Sequence, residues 1–216
     1  VNRERGNANK KKEADHMNGE DRDRILFELQ SIHPDIRPIS TDAIVVADWV
    51  RLKCRYGCRA YGKHLCCPPF APSPEEMRRV VSEYKTAILA RFLAKPGPGT
   101  DPRHIHHYLW DSIDHLHDTV YQLETRAFLL GYYKALGFYA LPCTLCETCV
   151  GEEMQEIGEK MNPLDVLKCR HKDRMRPSME GCGVDVFKTL ENAGYSSQVI
   201  RSYSERVVLF GMVLLD

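Results

Sequence analysis

Seven of the nine cysteines in this 216-residue chain are crowded into two short stretches. VRLKCRYGCRAYGKHLCCPPF carries Cys54, Cys58, Cys66 and Cys67, and LPCTLCETCV carries Cys143, Cys146 and Cys149 at three-residue intervals. Cys169 and Cys182 follow singly. Thiols grouped this way serve disulfides, zinc or iron–sulfur clusters. Disulfides fit worst. An odd total leaves one thiol outside any complete pairing. No apolar segment of the secretory kind follows the N-terminus, so the chain reads as cytosolic, where thiols stay reduced and dense cysteines hold metal or do redox work.

Structural zinc takes its cysteines as separated C-x₂₋₄-C pairs, two ligands from each. CTLCETC instead offers three thiolates from one loop, the start of a ferredoxin-type C-x₂-C-x₂-C run without its C-x₃-C-P ending. The fourth ligand must come from elsewhere, and Cys169 is the nearest candidate. The spacing favours a cluster over zinc. The first group, C-x₃-C followed by adjacent Cys66 and Cys67, matches no standard spacing. Adjacent side chains diverge, so one of the pair ligates while the other packs or sits behind it. Pro68 and Pro69 stiffen that loop and remove two N–H groups. Cys182 is the remaining distant thiol, and iron–sulfur is again favoured over zinc.

Three segments, CRYGCRAYGKHLCCPPFAPSPEEM, PCTLCETC and CRHKDRMRPSMEGCGVDVFKTLENAGY, together resemble the predicted metal-binding proteins of domain of unknown function 2284, from about Val46 to the C-terminus. The resemblance implies metal binding, as iron–sulfur clusters in anaerobic metabolism. It places the motif cysteines on Cys54, Cys58, Cys67, Cys143, Cys146, Cys149, Cys169 and Cys182, with Cys66 the looser member of its pair. Lys172 stands where a proline is expected. On that basis the eight divide into two [4Fe-4S] sets: Cys143, Cys146, Cys149 and Cys169, and Cys54, Cys58, Cys67 and Cys182. The exchange of Cys169 with Cys182 is left open.

The elements that must position these loops are legible in part. Residues 1–20 lack apolar periodicity and read as a disordered tail, with one metal-binding domain over 21–216. DRDRILFELQSIH places Ile25, Leu26, Leu29 and Ile32 on one helical face. DAIVVADWVRLK reads as a buried strand running into Cys54. Ser73, Pro74 and Glu76 form a complete helix start, and KTAILARFLA reads as a second strand. Asp101 and Pro102 open a long helix over about 103–136, ended by Gly137. Ser178 caps a helix through MEGCGVDVFKTLENA that Gly194 ends. SQVIRSY and RVVLFGMVLL read as a final strand pair. The sum is an α+β fold with a mixed or antiparallel sheet of about four strands, packed helices and two cysteine-rich metal-binding loops.

Other residues are weaker candidates. His104, His107, Asp111, His115 and Asp118 share one helical face, which reads better as a solvated polar strip than as a metal strip. His106 and His117 fall off it. Arg170, Lys172, Arg174 and Arg176 lie between two candidate ligands, where cations tune an anionic cluster, hold a small anionic ligand or dock a partner. Glu180 and Cys182 are expected in a helix's first turn, whose dipole lowers a thiol's pKa. P-loop, dinucleotide, haem and radical-enzyme motifs are missing. Thirty basic residues balance thirty acidic ones, so charge recruits neither nucleic acid nor membrane. The sequence therefore predicts a cluster protein passing electrons to a redox partner protein. A cluster-dependent enzyme with an open iron and a zinc-stabilised interaction module are the alternatives, so whether it is an enzyme stays open.

Overall fold

A computed structural model describes residues 19–94, 109–199 and 205–216. Helix α1 (Gly19–Gln30) buries Ile25 and Leu29 as the sequence pattern predicts, and β1 (Ile36–Ser40) follows it. A 3₁₀ turn (Thr41–Ala43) leads to α2 (Asp48–Gly57), then α3 (Pro74–Ser82) and β2 (Thr86–Ala94). The second half holds α4 (Trp110–Leu129), β3 (Leu136–Phe138), α5 (Val150–Glu156), a 3₁₀ helix (Pro163–Lys168), α6 (Val186–Asn192) and β4 (Val207–Leu214). The expected tail (save its last two residues, in α1) and the start of the long helix, Asp101 and Pro102 included, lie outside the described residues.

The architecture is α+β. A four-stranded antiparallel sheet runs in the order β1-β2-β4-β3. On it lies α4, whose Ile113, Leu116, Val120, Leu123 and Ala127 recur at steps of three and four and are all fully buried. Helix α1 packs on α4 and β1. Gly211 in β4 lets α4 pack tightly, since a Cβ there would overlap Val120 Cγ2. The start of α3 is built as the sequence implies. Ser73 Oγ accepts the Glu76 N–H at 3.2 Å, and the Glu76 carboxylate accepts the Ser73 N–H at 2.7 Å.

Four expected elements differ. The stretch entering Cys54 is not a strand. Val46 makes one isolated bridge to Val184, flanked by bonds from Ala47 N–H to Gly183 O and from Asp185 N–H to Val45 O. Its partner there is a single turn of chain, so the ladder ends and Asp48 opens a helix instead. The long helix stops at Leu129, because Gly131 adopts φ +102° and turns the chain. Gly137 does not end it but sits in β3 opposite Val213. Residues 178–184 are a loop, and the helix begins only after Asp185, whose carboxylate accepts the Lys188 N–H at 3.0 Å. Finally, residues 197–199 form no strand, and 200–204 lie outside the described residues. Strand β4 already has β2 and β3 on its two edges.

Candidate metal centre

The first cysteine group is assembled by α2 and the 178–184 loop. Cys54 sits in the last turn of α2, and Cys58 caps that helix with its N–H on Cys54 O at 3.3 Å. Arg51, one turn before Cys54, donates to the carbonyls of Ala71 at 3.2 Å, Pro72 at 2.9 Å and Gly181 at 2.6 Å. One guanidinium thus ties the helix to the segment after Cys67 and to the loop carrying Cys182. Cys54 Sγ lies 4.0 Å from the Glu180 carbonyl oxygen. The thiols sense one another. Burial first, then Cys67 and Cys58, push Cys54 up to about 11, and burial pushes Cys182 up further, with Glu180 and Cys67 adding to it. Cys58 is exposed, whereas Cys67 and Cys182 are buried.

The second group lines one small pocket. Cys143, Cys146, Cys149 and Cys169 line it, with Cys66, and Leu65, Leu145, His171 and Met175 fill the gaps. Cys149 is the N-cap residue of α5, and Cys169 ends the 3₁₀ helix over Pro163–Lys168. Backbone N–H groups point at several sulfurs. The His171 N–H reaches Cys169 Sγ at 3.4 Å, Leu145 serves Cys143, and Gly151 and Leu65 serve Cys149. Such donors favour the thiolate, while burial favours the thiol. Burial wins and pushes Cys143 up to about 12.

Cys66 and Cys67 form the junction between the groups. Their sulfurs are 3.6 Å apart. Cys67 belongs electrostatically with Cys54, Cys58 and Cys182, while Cys66 lines the second cavity and accepts the Cys143 N–H on its Sγ at 3.1 Å. The chain also closes tightly between the groups at Gly151, where any Cβ would lie 2.8 Å from Lys63 O. All nine cysteines are unbridged. Among the described residues no three His, Cys, Asp or Glu side chains gather as a single metal ion requires.

Other expectations resolve differently. Cys182 is not in a helix's first turn, so no dipole lowers its thiol, and burial among apolar neighbours raises it instead. His104 and His107 lie outside the described residues. Asp111 and His115 are exposed, His115 edging the Phe92 ring, and Asp118 accepts from Gln122 and Arg174. The basic turn is paired throughout its arginines: Arg170 with Glu153 at 2.6 Å, Arg174 with Asp118 at 2.7 Å, and Arg176 with Glu124 at 2.5 Å.

Two residues were missed. Glu180 Oε2 is shut off from solvent with no hydrogen-bond partner, and no sequence signal marks it. His117 did carry a signal, since it sits at helical spacing from the buried Ile113 and Val120. It stacks on Tyr139 at 4.1 Å, its Nε2–H donates to Ala140 O at 3.1 Å, and Thr144 Oγ1 lies 3.3 Å from Nδ1. A carbonyl at Nε2 fixes the proton there, leaving Nδ1 to accept from the threonine hydroxyl. Burial lowers its pKa from 6.5 to about 4. The unfolded chain therefore binds a proton below pH 6.5 that the folded chain refuses until about pH 4. Stability should fall as pH drops through that window, by about 3 kcal/mol in all, and level off below it. Urea midpoints at pH 7 and pH 4.5 test this. A His117→Gln variant with the same pH slope as the wild type would remove His117 from the account.

Among the described residues no helix is long and apolar enough to cross a membrane. A family model described as "Predicted metal-binding protein (DUF2284)" matches residues 37–215. No curated protein and no solved structure matches the chain.

Proposed function

The chain belongs to this family of predicted metal-binding proteins, and on that premise we propose that it is an iron–sulfur protein with two cores, acting in electron transfer to a partner protein. One observation carries the reading: three thiols of the 143–149 loop and a fourth, Cys169, from the end of the 3₁₀ helix line a single pocket. Zinc holds its sulfurs at about 2.3 Å and so packs them against each other. A cluster, with its bridging sulfides, is a larger body whose thiolates stand around it. The N–H groups at Cys143, Cys149 and Cys169 match such a core, because hydrogen bonds to the sulfurs help set its potential.

When bound, each core supplies one-electron chemistry. The chain's part is to hold and tune it. The buried thiols must lose their protons on loading, and the cost of burying that charge is met by the metal. Arg170 adds a positive charge beside Cys146 while anchored to Thr148 O at 3.0 Å and to Glu153. Cys58, the exposed ligand candidate, brings the first core nearest to solvent and so to a partner. Protein purified without oxygen should contain about eight iron and eight acid-labile sulfide per chain and absorb in the visible. Stoichiometric zinc without sulfide would overturn the proposal.

A further inference from the structure

We propose that the outer face of α2 docks the electron-transfer partner, and that this partner is an acidic protein. The inference rests on the reading that the first cysteine group holds a redox core, because Cys54 lies on this helix and Cys58 caps it. Positions 49, 52, 53 and 56 follow the spacing i, i+3, i+4, i+7, so they share one side of α2. The inner side carries Val50, which is buried, and Arg51, whose guanidinium is bound to the carbonyls of Ala71, Pro72 and Gly181. On the outer side Trp49, Leu52 and Tyr56 stay 45%, 51% and 81% exposed. Apolar side chains scattered singly over a surface need no explanation, but three on one face of a ten-residue helix form a patch. Tryptophan and tyrosine are the side chains that anchor protein interfaces, because they bring much contact area at little conformational cost.

The charge around these side chains says what covers them. Lys53 Nζ lies 4.9 Å from the centre of the Trp49 ring. Arg55, also exposed, donates to the Tyr56 and Tyr61 hydroxyls. Among the described residues neither cation is salt-bridged, and Asp48, the one acid of the helix, is bound to Arg78 at 2.6 Å. A basic rim around aromatic anchors attracts an acidic surface and repels a basic one. The chain's own remaining stretches do not complement it. Residues 1–18 carry five Lys or Arg against three Asp or Glu, residues 95–108 two against one, and residues 200–204 one against none. A second copy would set the Lys53 and Arg55 of one helix against those of the other. The basic turn is a poorer dock, since Arg170, Arg174 and Arg176 are each paired with a carboxylate. Cys58 is exposed two residues beyond Tyr56, so a partner on this face lies at the end of the helix where the first group opens to solvent.

The test is binding of the full chain, loaded anaerobically with iron and sulfide, to a fluorescently labelled acidic [2Fe-2S] ferredoxin, read by anisotropy beside iron content. Affinity should fall about tenfold as salt rises from about 50 to about 200 mM. Lys53→Glu/Arg55→Glu should bind at least about tenfold more weakly and lose that salt dependence. Trp49→Ala/Tyr56→Ala should lose about tenfold and keep it. Iron content and urea midpoint should match the wild type in both variants, because the substituted side chains face solvent. An iron-loaded wild type that does not bind the ferredoxin overturns the inference and leaves the two-core reading intact, as do variants that bind like the wild type. Tighter binding to a basic cytochrome c or to phosphatidylglycerol vesicles overturns it too, as does a dimer that Trp49→Ala/Tyr56→Ala dissociates. A wild type that takes up no iron overturns the two-core reading, and the inference falls with it.

Discussion

Glu124→Ala should lower the stability of the chain by about 3–5 kcal/mol, measured by urea unfolding at neutral pH. Glu124 and Arg176 expose only 12% and 16% of their side chains. The guanidinium meets both carboxylate oxygens, Nη2 on Oε1 at 2.5 Å and Nε on Oε2 at 2.6 Å. Glu124 Oε2 also accepts the Gly137 N–H at 2.6 Å, and Arg176 donates to the Asp173 and Met175 carbonyls. One carboxylate therefore joins α4, β3 and the turn between Cys169 and Cys182. Its removal leaves a charged guanidinium and a backbone N–H without their acceptor in a poorly hydrated place, and the orphaned charge is the larger penalty. Glu124→Gln keeps an acceptor for Gly137 and should lose about half as much. A Glu124→Ala chain within about 1 kcal/mol of the wild type would show that the pair is hydrated after all.

The second large effect concerns the division of the cysteines. Cys149→Ala should empty the site bounded by Cys143, Cys146 and Cys169 and halve the iron, from about eight to about four per chain. Cys54→Ala should remove the other half. The deciding variants are Cys169→Ala and Cys182→Ala. Cys169 lines the same cavity as Cys143, Cys146 and Cys149, and Cys182 interacts with Cys67, so the electron paramagnetic resonance spectrum of Cys169→Ala should match that of Cys149→Ala. That of Cys182→Ala should match Cys54→Ala. The crossed result would mean that the loops rearrange when metal binds.

How much of this was readable from the residues depended on how local the signal was. The start of α3 was explicit because Ser73, Pro74 and Glu76 act within one turn. The buried stripe of α4 was explicit because its period is internal to the helix. The segment 42–53 failed because its β-branched residues say "extended" while the partner of Val46, Val184, lies far along the chain and offers only one turn to pair with. The loop 178–184 failed for a related reason. Ser178 looks like a helix cap, yet its hydroxyl is occupied by Gly181 and its N–H by Cys66. In the candidate site, cysteines announce themselves by spacing. Glu180 does not, since a carboxylate in a polar stretch looks like any solvated one until burial is known. The adjacent pair at 66 and 67 was read as one ligand and one bystander, and what spacing could not show is that each faces a different group of thiols.

That pair has a genetic consequence. A single peptide unit sets the offset of one sulfur group from the other, so inserting even one residue between Cys66 and Cys67 would swing one thiol away from its partners. The turn over 131–134 carries no thiol, and added residues there would break the Tyr84–Lys134 and Lys134–Glu83 bonds rather than the offset between the sulfur groups. Any lengthening of this polypeptide compatible with both centres must therefore occur outside that one dipeptide.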